Sequence, residues 1–155
     1  MKDHQYKATI TWTGNLGTGT SSYKDFNRTH EISVDGKPTI PASSDPSFRG
    51  DPSRYNPEEL FLASLSSCHM LWYLHLCAEA GVIVVDYTDH AIGTMIETTN
   101  GSGHFTQVTL HPNVLVSDAS MIAKANELHH EANKYCFIAN SVNFPVLHQP
   151  MCKAS

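Results

Sequence analysis

The segment NPEELFLASLSSCHMLWYLHLC, Asn56 to Cys77, constrains the fold more than any other part of the chain. Asn56 is a good N-cap residue, Pro57 occupies the first helical position, and Glu59 follows three residues after the cap. These signals together predict a helix beginning at residue 57. Gly81 stands where a C-terminal cap belongs. At about 1.5 Å per residue, residues 57–80 would span roughly 36 Å. Ser64, Ser66, Ser67, His69, His75 and Glu79 interrupt the segment, which argues against a membrane span. Apolar side chains still fall on nearly every face, among them Leu60, Phe61, Leu65, Met70, Leu71, Trp72 and Leu74. A helix apolar all round is a buried helix. The pattern therefore predicts sheet over one side and a partner over another.

The flanking sequence supplies the sheet. Residues 5–13 alternate Tyr6, Ala8, Ile10 and Trp12 on one face, the period of a half-buried strand. After a Gly-rich turn, residues 21–34 read as a second, antiparallel strand. Residues 35–55 carry Pro38, Pro41, Pro46 and Pro52 and read as a long loop, a length that points to function or flexibility. Residues 82–100 and 103–117 are expected to form two long strands joined by an Asn-Gly-Ser-Gly turn. Ile122, Ala125, Leu128 and Ala132 mark a second, amphipathic helix over 118–135, and 141–148 reads as a final strand. This order predicts an α+β class, with antiparallel sheet wrapped on two helices in a single domain of residues 1–155.

Composition narrows the partners. The 155 residues are 41% hydrophobic and 16% charged, the balance of a globular chain. A net charge of -5, with ten Lys and Arg and no basic run, argues against nucleic acid and anionic membranes. The start, MKDHQYKATITWTG, lacks the apolar stretch of a signal peptide. Cys68, Cys77, Cys136 and Cys152 form no C-x-x-C pair. The expectation is a cytoplasmic protein with reduced thiols, where any disulfide would be transient and catalytic.

A cysteine within a buried helix is usually a small hydrophobe, and Cys77 reads that way. Cys68 is set apart by Ser66, Ser67 and His69 beside it, and by a second thiol, Cys136, at the end of the other helix in HHEANKYC. If the helices pack, these two could cycle between dithiol and disulfide without a metal. A working thiolate needs a cation or donor beside it. The three arginines, Arg28, Arg49 and Arg54, make a short list, each of them otherwise a surface charge. Glu58 precedes Cys68 by ten residues, roughly 15 Å along one helix. It reaches a thiol only through a partner chain; otherwise it serves the helix dipole. Cys68 with His69, Cys136 with His129 and His130, and Cys152 with His148 are conceivable metal ligands, but no tight structural-zinc spacing is present.

Together, NPEELFLASLSSCHM and ANKYC resemble the paired signature of the OsmC/Ohr family, the osmotically induced and organic-hydroperoxide-resistance proteins. In that pattern an Asn-Pro-Glu-Glu start precedes a reactive cysteine ten residues after the first Glu, and a second cysteine ends a helix as A-x-x-x-C. The resemblance covers essentially the whole chain. It implies an intertwined homodimer with two long central helices and active sites at the subunit interface. It also implies a peroxiredoxin-like peroxidase in which Cys68 attacks an organic hydroperoxide and Cys136 resolves the sulfenic acid as a disulfide. An arginine paired with Glu58 would activate Cys68, with Arg28 and Arg49 favoured over Arg54. No bound cofactor is implied, only an external dithiol reductant, which is lipoyl in the best-known branch. The chain departs from that pattern in Phe137 after Cys136, where typical members have Pro, and in His69–Met70 after Cys68, where they have Phe. The competing reading is the same fold used to hold a small ligand or a metal without efficient turnover.

Overall fold

A computed structural model describes the chain from Met1 to Ser155. The chain divides into two compact units, residues 1–61 and 62–155. The first unit is a three-stranded antiparallel sheet of β1 (Thr9–Trp12), β2 (His30–Ser33) and β3 (Ile40–Ala42), in that order. Its strands are shorter than the alternation implies, because side chains capture the turn between them. Asn15 Oδ1 accepts the amides of Gly17 and Gly19 at 2.9 and 3.0 Å, and pairing there shrinks to one bridge, Asn15 to Phe26. β3 lies inside the proline-rich stretch read as loop. As an edge strand it accommodates Pro41, whose missing N–H costs no ladder bond there. The period-two face of β1 is present but uncovered, with Ile10 63% and Trp12 43% exposed.

The first helix, α1 (Pro57–Glu79), begins where expected. Asn56 Oδ1 accepts the Glu59 amide at 2.8 Å and Glu59 Oε2 accepts the Asn56 amide at 3.2 Å, a reciprocal capping box. It ends at Gly81, whose φ of 73° lets the Val82 amide bond back to the Cys77 carbonyl at 2.8 Å. Burial is narrower than composition implies. Leu65, His69, Tyr73 and Cys77, spaced by four, form one fully buried stripe, while Leu71 remains 62% exposed. By length and composition α1 is sufficient to cross a membrane. Two of its polar side chains are instead tied into the second unit, Ser66 donating to Asp89 and His69 bonding His129.

The second unit carries two mixed three-stranded sheets. β4 (Val84–Asp89) and β7 (Pro112–Val116) pair antiparallel, with β9 (Met151–Ala154) parallel to β7. β5 (Ile92–Glu97) and β6 (Gly103–Leu110) pair antiparallel, with β8 (Val146–His148) parallel to β6. The two long strands expected here are thus each broken in two, and the wholly antiparallel expectation gives way to parallel edges at β8 and β9. The breaks are held by Asp89, whose Oδ1 accepts the His111 amide at 2.7 Å, and by the His111 ring against the His90 carbonyl at 3.1 Å. The second helix, α2 (Ile122–Tyr135), follows a 3-10 turn at Ala119–Met121 that Asp118 caps through the Ser120 amide. Tyr73, Cys77, Val82, Val114, Val116, Ala125, Leu128 and Ala132 form the core.

Candidate functional site

Cys136 is the C-cap of α2, with φ −64° and ψ 110° and its amide still bonded to the Ala132 carbonyl. It is buried, and its Sγ accepts the Ala139 amide at 3.4 Å. The chain leaves the helix there and enters a second 3-10 turn at Ala139–Ser141. Burial pushes the Cys136 thiol well above the usual range. The neighbouring Cys68 thiol raises it further through hydrogen bonding and charge, opposed in part by the amides of Ala139 and Ile138. The structure therefore brings Cys68 and Cys136 together, as two free thiols.

Beside them lies an aromatic group that sequence reasoning missed. Trp72, one turn beyond Cys68, stacks on Tyr135 with centroids 5.2 Å apart and meets Phe137 edge-on at 5.6 Å. Tyr135 and Phe137 flank Cys136 in the chain. Leu71, Trp72 and His75 line a cavity of about 240 Å³. The four-residue spacing from Cys68 to Trp72 and the aromatic pair around Cys136 were visible signals.

Also missed was a stack of imidazoles. His69 of α1 and His129 of α2 lie parallel, Nε2 to Nδ1 at 3.0 Å, and His148 of β8 stacks on both at 5.7 and 6.1 Å. Tyr73 stacks on the His129 ring at 3.9 Å. Burial, and then the neighbouring His148, lowers His69 to about 4, with Asp89 pulling the other way. Burial, and then His69 and His148, lowers His129 to about 3. No three His, Cys, Asp or Glu side chains converge as metal ligands.

Cys77 and Cys152 belong to the core of the second unit. Burial raises both thiols.

The arginines and Glu58 belong to the first unit. Arg28 is pinned: its guanidinium donates to the Phe26 and Tyr23 carbonyls at 2.6 and 2.7 Å and lies 4.1 and 4.4 Å from their ring centroids. Arg49 is exposed and is the one non-glycine residue in the left-handed region, with φ 64°. Both line a polar pocket of about 220 Å³ with Ser43, Gly50 and Asp51. Arg54 is committed to Asp51 at 3.5 Å, whereas Arg28 and Arg49 make no ion pair. Glu58 is unpaired too, and its buried Oε2 has no hydrogen-bond partner. The expected Arg–Glu pair is not made within one chain.

Comparison with known proteins places this geometry. A family model described as OsmC-like protein matches residues 50–149. An OsmC-like protein of unknown function from Vibrio cholerae is 33% identical, with a TM-score of 0.82 over 96% of this chain and 100% of that one. An organic hydroperoxide resistance protein from Elizabethkingia anophelis shares the fold at 19% identity, with a TM-score of 0.71 over 99% of both chains. OhrB of Bacillus subtilis, also an organic hydroperoxide resistance protein, shares it at 21% identity, with a TM-score of 0.62 over 96% of this chain and 98% of that one. No curated protein matches. With its capped central helix, the thiol in that helix and a second thiol at the end of α2, the chain belongs to the OsmC-like protein family.

Proposed function

We propose that the protein is a thiol peroxidase acting on organic hydroperoxides in the cytoplasm. The observation that carries this reading is the meeting of Cys68 with a Cys136 thiol held protonated by burial. The Cys68 thiolate attacks the terminal peroxide oxygen, the O–O bond breaks, and the departing alkoxide takes a proton and leaves as alcohol. Cys68 is then a sulfenic acid. Cys136 sulfur attacks it, forming the disulfide and releasing water. An external dithiol restores both thiols by exchange and is itself oxidised. The family's lipoyl dithiol is the candidate reductant.

Charge has to be stabilised on the thiolate and on the leaving oxygen, which is the work of an arginine. Arg28 and Arg49 have charge to offer, and the unpaired Glu58 Oε2 is a carboxylate oxygen suited to orient one of them. A homodimer is the assembly in which a second chain would complete that pair. The Trp72, Tyr135 and Phe137 rings offer an apolar wall to the organic part of the substrate. Intact mass after one equivalent of cumene hydroperoxide tests the reading. Wild type should lose two hydrogens, Cys136→Ser should hold a trappable sulfenic acid, and Cys68→Ser should remain unoxidised. An unreacted Cys68 in wild type overturns it.

A further inference from the structure

The second unit buries a polar contact that the thiol chemistry does not use. His69 and His129 are 1% and 0% exposed, and one hydrogen bond joins them. Whichever ring donates, one nitrogen of each is left over: His69 Nδ1 and His129 Nε2 are buried without partners. Each such atom leaves its desolvation uncompensated, so two apolar side chains would hold these helices together at less cost. What apolar packing lacks is direction. A hydrogen bond weakens steeply when its angle or length drifts, so it fixes one register where dispersion accepts several.

Position gives that register a purpose. His69 is the residue after Cys68, and His129 lies two turns before Cys136, in line with Ala132 on the buried side of α2. The contact thus ties α1 to α2 one residue from Cys68 and two turns from Cys136. Its surroundings leave it little room to move. Tyr73 of α1 covers one face of His129 and His148 of β8 stacks on both rings. Asp89 acts on His69 by charge, Tyr87 meets Tyr73 at 5.8 Å, and His130 acts on His148. Burial keeps both imidazoles neutral at pH 7, the state in which one donates and the other accepts.

We propose that His69 and His129 are positioning residues whose hydrogen bond sets the spacing of α1 and α2 and so holds Cys68 and Cys136 where a disulfide closes. This rests on reading those cysteines as a redox pair. Closing the bond brings the sulfurs to about 2.05 Å, a distance that tolerates little error in helix register. The contact raises the effective concentration of one thiol at the other and favours the disulfide.

Equilibration in glutathione buffers tests this without any peroxide: protein dithiol plus glutathione disulfide gives protein disulfide plus two glutathione thiols. His129→Leu removes the bond and should lower the equilibrium constant at least tenfold, which is about 30 mV. His129→Asn, whose amide reaches the Nδ1 position, should recover most of that loss, although a plain core defect would not distinguish the two. His69→Leu and His69→Gln repeat the comparison from the other helix. An unchanged constant in folded His129→Leu overturns the proposal. If the leucine variants do not fold, the coupling between His69 Nε2 and His129 Nδ1 across the hydrogen bond, measured in labelled wild type, decides. It must be present in both dithiol and disulfide forms, and its absence from either overturns the proposal. A wild-type protein that forms no Cys68–Cys136 disulfide instead refutes the redox-pair reading.

Discussion

Trp72 stacks on Tyr135 one helical turn beyond Cys68 and one residue before Cys136, so an aromatic face stands next to the thiols from both helices. Under the proposed chemistry this face distinguishes an organic hydroperoxide from hydrogen peroxide. Trp72→Ala should lower kcat/KM for cumene hydroperoxide about tenfold, or about 1.4 kcal/mol of transition-state binding, and leave hydrogen peroxide within about twofold. Steady-state turnover of both substrates measures the ratio. An equal loss for both would show that the ring supports the fold and not the substrate.

Arg28 and Arg49 should separate in experiment. Arg28 satisfies two backbone carbonyls and packs between two rings, so Arg28→Ala should cost about 1 kcal/mol of stability by thermal unfolding. Arg49 is exposed, makes no ion pair and has only a distant ring contact with Tyr23 at 5.9 Å, so Arg49→Ala should leave stability within about 0.5 kcal/mol. If Arg49 serves the thiol, its loss should lower hydroperoxide turnover about a hundredfold or more, and Glu58→Gln should lower it in the same direction. Full turnover in Arg49→Ala would leave Arg28 as the activating cation.

Stability should fall in mild acid. Folding depresses the affinity of His69 and His129 for protons to about 4 and about 3, so below about pH 6.5 the unfolded chain takes up protons that the folded chain refuses. The stabilisation is complete above that pH and is lost as pH falls toward the folded values, at up to about 1.4 kcal/mol per pH unit per histidine. Urea unfolding between pH 7 and pH 4.5 should show that slope, and His129→Asn should make it shallower. The lowered Asp45, Asp51, Asp118 and Glu131 add to the loss at the acid end of that range.

Asn56→Ala removes the side chain that receives the Glu59 amide and should cost about 1 kcal/mol. Unfolding should shift by about 2–4 °C, with Asn56→Ser close to wild type. An unshifted alanine variant would mean that water replaces the cap.

The sequence disclosed what depends on local chemistry. Asn56, Pro57, Glu59 and Gly81 act through neighbours within four residues, so the limits of α1 could be read directly. The two cysteines could be paired because each marks a helix. What stayed hidden depends on contacts distant in the chain. The breaks at His90 and His111 are held by an Asp89 oxygen and by the His111 ring, and no periodicity reports such bonds. Apolar composition implied that α1 is buried on every side, yet in one chain only the stripe through Leu65, His69, Tyr73 and Cys77 is closed. Two of those four are polar, which a hydrophobic reading passes over. The strand expected at 141–148 contains β8, but its parallel pairing went unread, and so did β9, which is only four residues long.

Cys136 joins two roles in one residue. Its backbone ends α2, and its sulfur receives the amide of Ala139, fastening the turn that follows. A sulfur drawn toward Cys68 loosens its hold on that amide while the helix behind it keeps its own bonds. Under the proposed chemistry, oxidation and local order at residues 137–141 would be one variable read two ways. The exchange rate of the Ala139 amide would then be a gauge of the thiols' redox state, built into the backbone and readable without touching either cysteine.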